Sequence, residues 1–244
     1  MSKLNIKELV KKNSRPKICV PLIGENFEEI EVELKKIQNL KIDLVEWRVD
    51  YFTQEDIILT LKKMRNSLKD KGIIFTLRSF CEGGKSNLNI THRKKICETA
   101  IKSGYIDIID LELSLDESTL KKLIDTAHDS GVDVLVSSHD FVQTPSRELI
   151  ISTLQRMQDL GADIAKVAYM PNSKDDVISL MLATHHANKI LEIPVVGISM
   201  STLGAVSRVA CELFGSSITF AKTDKSSADG QIDAEKLAEI LDLI

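Results

Sequence analysis

A chain of 244 residues, 43% hydrophobic and 28% charged, has the size of one large globular domain and an ordinary composition for one. Its formal net charge is only −4, with lysines and acids interspersed, which argues against a nucleic-acid or membrane surface. No apolar run approaches the roughly 18 residues of a membrane span, and the opening from Met1 to Lys7 lacks an apolar signal core, so the expected setting is cytoplasmic. Cys19, Cys81, Cys97 and Cys211 stand far apart without a Cys-x-x-Cys pair, which points to reduced thiols rather than a zinc ribbon or a disulfide framework.

After a polar lead over about residues 1–16, one unit repeats: a short β-branched run, a turn, then an amphipathic helix. The predicted strands are Ile18–Ile23, Leu44–Arg48, Ile73–Arg78, Ile106–Leu111, Val132–Ser137, Ile164–Ala168, Val195–Ser199 and Ile218–Ala221. The predicted helices are Phe27–Asn39, Gln54–Leu68, His92–Lys102, Glu117–Ser130, Ser146–Leu160, Lys174–Lys189, Ser201–Phe214 and Asp233–Leu243. Gly72, Gly131, Gly161 and Gly215 mark returns to strand, where a helix C-terminus favours a left-handed residue. Strict alternation implies right-handed crossovers and a parallel sheet, and eight units are the number that closes a (β/α)8 TIM barrel, expected here as a single α/β domain over residues 1–244. A doubly wound open sheet is the second choice; against it, the first strand-to-helix turn at Gly24 lacks the glycine fingerprint for a pyrophosphate.

In a barrel the C-terminal ends of the strands share one mouth, so residues distant in sequence become neighbours. Strand two ends with Glu46, Trp47 and Arg48; alternation sends Glu46 and Arg48 inward, as substrate contacts or as an ion pair with each other, and Trp47 toward the helices. Strand three ends at Arg78, followed by Glu82-Gly83-Gly84, where the glycines point to a flexible, solvent-facing loop around Glu82. Asp110 and Glu112 share a face of strand four, as barrel lining or as a buried network. His139 follows strand five with a near-neutral group suited to proton shuttling. Lys166 on strand six has small and apolar sequence neighbours, where desolvation favours a neutral, nucleophilic amine. After strand seven comes Arg208, a planar cation suited to bidentate capture of a carboxylate, and after strand eight the polar, mobile-looking stretch from Lys225 to Gln231, which includes Ser227. His185 and His186 are adjacent on a helix, point about 100° apart and do not share one ion, so no metal site is expected.

Taken together, Glu46-Trp-Arg48, Arg78-Ser with Glu82-Gly-Gly84, Ser138-His139-Asp-Phe141, Ala165-Lys166-Val-Ala168 with Met170-Pro171, Gly197-Ile-Ser-Met200 through Ser207-Arg208, and Ser227-Ala-Asp-Gly-Gln231 resemble type I 3-dehydroquinate dehydratase of the shikimate pathway. The resemblance implies that Lys166 forms a Schiff base with the substrate ketone and that His139 is the general acid/base, oriented by Glu82. It implies carboxylate binding by Arg208, contacts to the ring hydroxyls and the closing loop from Glu46, Arg48, Arg78, Ser227 and Gln231, no cofactor, and a homodimer. Two departures from the family pattern are Asp229, where proline is common, and Pro21, where some members carry serine. Two other readings share parts of the pattern: a class I Schiff-base aldolase or lyase acting on a keto acid, and a non-catalytic barrel that binds a small acid.

Overall fold

The structure is a computed structural model that describes residues 4–53 and 56–243. Its strands are β1 (Lys17–Leu22), β2 (Leu44–Arg48), β3 (Gly72–Thr76), β4 (Ile108–Glu112), β5 (Asp133–Asp140), β6 (Ile164–Tyr169), β7 (Val195–Ser199) and β8 (Ile218–Phe220). The helices are α1 (Ile6–Leu9), α2 (Phe27–Ile37), α3 (Ile57–Ser67), α4 (Ile90–Lys102), α5 (Glu117–Asp129), α6 (Arg147–Asp159), α7 (Lys174–Ile190), α8 (Val206–Val209), α9 (Cys211–Phe214) and α10 (Ala234–Leu243). Short polar residues set the helix starts: Asn26, Asp56, Asn89, Asp116, Ser146 and Ser173 each accept a hydrogen bond from an otherwise orphaned amide in the first turn.

All strand pairs are parallel, in the order β7-β6-β5-β4-β3-β2-β1-β8. The two outer strands of that order meet at a bridge between Val195 and Ser216, with the Ser217 N–H donating to Val195 O at 2.8 Å. The sheet therefore closes into a (β/α)8 barrel, and the open doubly wound alternative is set aside.

Alternation divides the side chains into two cores. Outward residues such as Val45, Trp47, Ile73, Phe75 and Val134 pack under the helices. Inside the barrel, every strand contributes one buried apolar residue to a lower plug: Cys19, Leu44, Ile74, Ile108, Leu135, Ile164, Val196 and Ile218. Two residues further along β2 to β6 the inward positions turn polar: Glu46, Thr76, Asp110, Ser137 and Lys166. The apolar plug thus forms the floor on which the polar groups stand.

Four sequence expectations change. The lead is not merely polar, because Ile6 and Val10 around α1 are buried against the lower plug and seal that end of the barrel. The continuous helix expected over Ser201–Phe214 is a turn followed by α8 and α9; Ser201 has φ +58°, and Gly204 lies so close to Ser199 O that a Cβ there would stand 2.3 Å from it. The fourth strand runs Ile108–Glu112, two residues later at its start and one later at its end, and Glu112 lies on it as its shared face with Asp110 implied. The third helix begins at Ile57, capped by Asp56, and the first residues of its predicted span, Gln54 and Glu55, lie outside the described residues. Pro21 also acquires a role: lacking an N–H, it cannot extend the β1–β8 ladder to Ala221 O. β8 stops at Phe220, and Lys222 bridges to Asp233 instead.

Candidate active site

The barrel mouth holds a cavity of about 520 Å³, counted to its open rim. The nine residues to which the resemblance gives a role line it, Glu46, Arg48, Arg78, Glu82, His139, Lys166, Arg208, Ser227 and Gln231, whereas Asp110 and Glu112 lie in the network beneath. The strand register explains the central pair. Ser137 lies beside Lys166 and His139 beside Ala168, so the imidazole stands one inward step above the amine on the neighbouring strand.

Lys166 is 4% exposed, yet its surroundings differ from the small, apolar ones expected. Ala165 and Val167 point outward into the helix-facing core, while the amine meets two carboxylates. Nζ is 3.7 Å from Glu46 Oε1, 3.5 Å from Asp110 Oδ2 and 4.3 Å from the Phe220 ring centroid. A cationic nitrogen at this position is therefore compensated. Sequence neighbours gave the wrong picture because in a strand the adjacent residues face the opposite side.

Asp110 is held from both sides. Its Oδ1 accepts from Ser137 Oγ at 2.6 Å, and its Oδ2 lies 2.6 Å from Arg78 Nη2. Burial works to raise its pKa, but Arg78, Lys166 and the Ser137 hydrogen bond outweigh it and hold the carboxyl below its ordinary range. Arg78 also reaches Ser137 Oγ at 2.9 Å and Glu112 Oε1 at 3.3 Å. Burial opposes the Arg78 charge, and the carboxylates of Asp110, Glu112, Glu82 and Glu46 more than restore it. Glu112 is fixed in turn by Arg93 of α4 at 2.7 Å and by the Ser79 N–H at 2.7 Å. Arg78 is thus largely engaged by the protein itself.

Glu46 and Arg48 do not form the ion pair considered for them. Glu46 accepts from Thr76 Oγ1 at 3.0 Å and faces Lys166. Arg48 makes a two-pronged pair with Asp50 at 2.8 Å for both contacts, and Asp50 also accepts from the Lys85 N–H at 3.0 Å.

The loop after β3 is not solvent-facing around Glu82. It forms a single 3-10 turn, Phe80–Glu82, with Glu82 buried. The glycines are needed for close approach: a Cβ on Gly84 would lie 2.2 Å from Arg78 O, and Gly83 has φ +78° with Phe141 against it. Glu82 Oε1 accepts from Ser114 Oγ at 2.5 Å, while Oε2 faces His139 Nδ1 at 2.9 Å and accepts from the His139 N–H at 3.2 Å. An ionised Glu82 accepts a hydrogen bond from Nδ1–H, which keeps the proton on Nδ1 and leaves the Nε2 lone pair for the cavity.

Burial raises the Glu82 carboxyl to about 7, with Glu112 and Asp110 adding to it and Arg78 and Ser114 opposing. Burial pushes the His139 imidazole well below its ordinary range, helped by the positive charges of Arg78, Lys166 and Arg48. Both directions favour an uncharged imidazole.

Arg208 is 2% exposed, and burial alone lowers its pKa to about 10. Its Nη1 donates to Phe220 O at 3.2 Å, and among the described residues its Nε has no hydrogen-bond partner. Among the described residues no carboxylate pairs with it. Above it, Gln231 fastens the last loop: its Oε1 accepts from the Ser227 N–H at 3.1 Å and its Nε2 donates to Ser227 Oγ at 3.2 Å. Asp50, Ser114, Ser137 and Thr76 went unassigned in the sequence. For Ser137 and Thr76 the signal was present, since each lies two residues before an inward group that was assigned, His139 and Arg78.

An amine set between carboxylates and an imidazole–carboxylate pair at the open end of a parallel barrel define an α/β-barrel enzyme acting on a small molecule. The family described as type I 3-dehydroquinase matches residues 18–244. A 3-dehydroquinate dehydratase from Bacillus licheniformis is 42% identical over 235 residues, covering 94% of this chain and 92% of the relative. A type I 3-dehydroquinate dehydratase from Clostridium difficile, solved with covalently modified comenic acid, superposes with a TM-score of 0.90 at 38% identity, covering 94% of this chain and 92% of the other. The 3-dehydroquinate dehydratase from Geobacillus kaustophilus gives 0.91 at 36% identity, covering 94% and 91%. The chain belongs to the type I 3-dehydroquinase family, and its activity is that of a hydro-lyase, 3-dehydroquinate dehydratase. Among the described residues no helix is long and apolar enough to cross a membrane.

Proposed function

We propose that the chain converts 3-dehydroquinate to 3-dehydroshikimate by syn elimination through a Schiff base on Lys166. The lysine, deprotonated for attack, adds to the C3 ketone, and return of that proton lets water leave, giving an iminium ion. His139 Nε2 takes a proton from C2, and the electron pair moves into the iminium as an enamine. The electrons then return and expel the C1 hydroxyl, which departs as water with the proton held by His139. Hydrolysis of the new iminium releases product and restores the amine, so the net change is the loss of one water. One imidazole serves both proton transfers because both groups leave from one face.

The remaining roles follow from the same reading. Glu82 fixes the imidazole tautomer; Arg208, a buried cation without a counter-ion, receives the substrate carboxylate. Arg48, Glu46, Ser227 and Gln231 meet the ring hydroxyls and close the loop, and Arg78 contributes mainly by holding Asp110 and Glu112. The reading also takes residues 1–244 as one barrel domain, places the enzyme in the cytoplasm in the shikimate pathway, and makes it a homodimer, the last checked by light scattering.

The observation that carries it is the adjacency of Lys166 and His139 on β6 and β5, facing one cavity with the imidazole locked to Glu82. Borohydride reduction in the presence of 3-dehydroquinate tests it: the adduct maps to Lys166, and Lys166→Ala gives neither adduct nor turnover. Near-normal dehydration by Lys166→Ala refutes the mechanism.

A further inference from the structure

A buried lysine that starts as an ammonium has to lose a proton before it can attack a ketone. Its immediate acceptors in this barrel are two carboxylates that differ in how fully they are occupied. Asp110 accepts from Ser137 on one oxygen and pairs with Arg78 and Lys166 on the other. Among the described residues Glu46 accepts one hydrogen bond, from the neutral hydroxyl of Thr76, and pairs with no arginine. A carboxylate saturated by a guanidinium is a poor proton acceptor, whereas one held by a single hydroxyl keeps its basic lone pairs.

We propose that Glu46 is the base that takes the proton from Lys166 and so releases the amine for attack, while Asp110 remains the fixed counter-charge of the nitrogen. The inference rests on the Schiff-base reading above and assigns Glu46 a proton-transfer role beyond its contact with the substrate. The transfer balances. The ammonium gives one proton to Glu46 Oε1, and the neutral amine adds to the C3 carbonyl. The nitrogen of the adduct passes a second proton to the former carbonyl oxygen, giving a neutral carbinolamine, and the protonated Glu46 returns the first to that hydroxyl, which leaves as water.

Overall, an ammonium and a ketone become an iminium and water, with one positive charge on the nitrogen before and after. Asp110 thus faces a cationic nitrogen at the start and at the end of the sequence, and its bonds to Arg78 and Ser137 hold it in place between them. A shift of about 0.5–1 Å brings Oε1 from ion-pair to hydrogen-bond distance of Nζ. His139 is not the first acceptor, since among the described residues the amine's ion-pair partners are Glu46 and Asp110, and the imidazole is bound to Glu82.

The test is the rate of adduct formation, read by rapid mixing with saturating 3-dehydroquinate and borohydride quench. The charged and titratable groups that face the amine and its cavity are Glu46 and Arg48 from β2, Arg78 from β3, Glu82 from the turn after it, Asp110 from β4, His139 from β5, Arg208 from α8 and Cys19 from β1, so each variant is compared with wild type at every pH. Glu46→Gln is expected to slow trapping about 100-fold near pH 7 and to recover most of the rate near pH 9, where hydroxide replaces the missing base. Glu46→Asp, which keeps a carboxylate, lies between the two and decides the question if the glutamine variant does not fold. Trapping of Glu46→Gln at the wild-type rate near pH 7, or a slow rate that alkali does not restore, overturns the proposal. Absence of any adduct in wild type instead refutes the Schiff-base reading itself, so the two failures are distinct.

Discussion

Holding Glu82 ready beside His139 has a thermodynamic consequence that Glu82→Gln exposes. The amide copies the shape and neutrality of the protonated carboxyl; its oxygen can take the place of Oε2 beside His139 while its NH2 donates to the Ser114 hydroxyl. Moving a carboxyl from 4.5 to about 7 in the folded state costs its ionised form about 3 kcal/mol. Between those limits the folded state keeps a proton that the unfolded state has released, so unfolding free energy falls as pH rises through the window and levels off above about 7. Below the window Glu82 and its amide replacement are equivalent.

Thermal melting of wild type and Glu82→Gln from pH 4 to pH 8 reads the difference directly. The variant should match wild type near pH 4 and exceed it by about 3 kcal/mol near pH 8, roughly 6–12 °C for a chain of this size. Activity should move the other way, because an amide no longer enforces the Nδ1–H tautomer. A constant offset between the two melting curves at every pH would refute the argument, since the ionisation of Glu82 would then carry no penalty.

Arg208→Met removes a buried cation that has no counter-ion, so substrate affinity should fall about 100-fold while the ligand-free protein melts no lower than wild type; calorimetric titration and melting check both, and unchanged affinity counts against the assignment. Gly84→Ala drives a Cβ to within 2.2 Å of Arg78 O, a backbone atom, and should cost about 1–3 kcal/mol and most of the turnover, as Arg78 is displaced from Asp110; denaturant titration alongside an activity assay shows whether the two losses coincide.

Much of this molecule is legible in its letters because the repeating unit is strongly punctuated. Each strand is a short apolar run, and alternation from Leu44 through Glu46 to Arg48, or from Ile164 to Lys166, tells which residues share the barrel interior. What alternation does not reveal is the partner reached across the barrel. Asp50 lies beyond β2 and was passed over, yet it holds Arg48, because that contact depends on the turn after the strand. Ser114 meets Glu82 only after two loops from different strands converge. The flexible loop expected at Gly83-Gly84 is a close-packed one, a distinction that composition does not encode because glycine serves both purposes. The burial of Ile6 and Val10 was hidden by the lysines around them.

The seam between β7 and β8 is joined by the Val195–Ser216 bridge, the Ser217 amide and a 3.1 Å bond from the Gly197 N–H to Ser216 Oγ, whereas β5 and β6 share six registered pairs. Arg208 is moored to the short-laced side, through Phe220 O and through Thr219 Oγ1 donating to Arg208 O, while Lys166 and His139 sit on the fully laced side. Backbone amides of residues 195–197 and 216–220 are therefore expected to exchange with solvent faster than those along β5 and β6, so the wall that carries Arg208 opens more readily than the wall that carries Lys166 and His139.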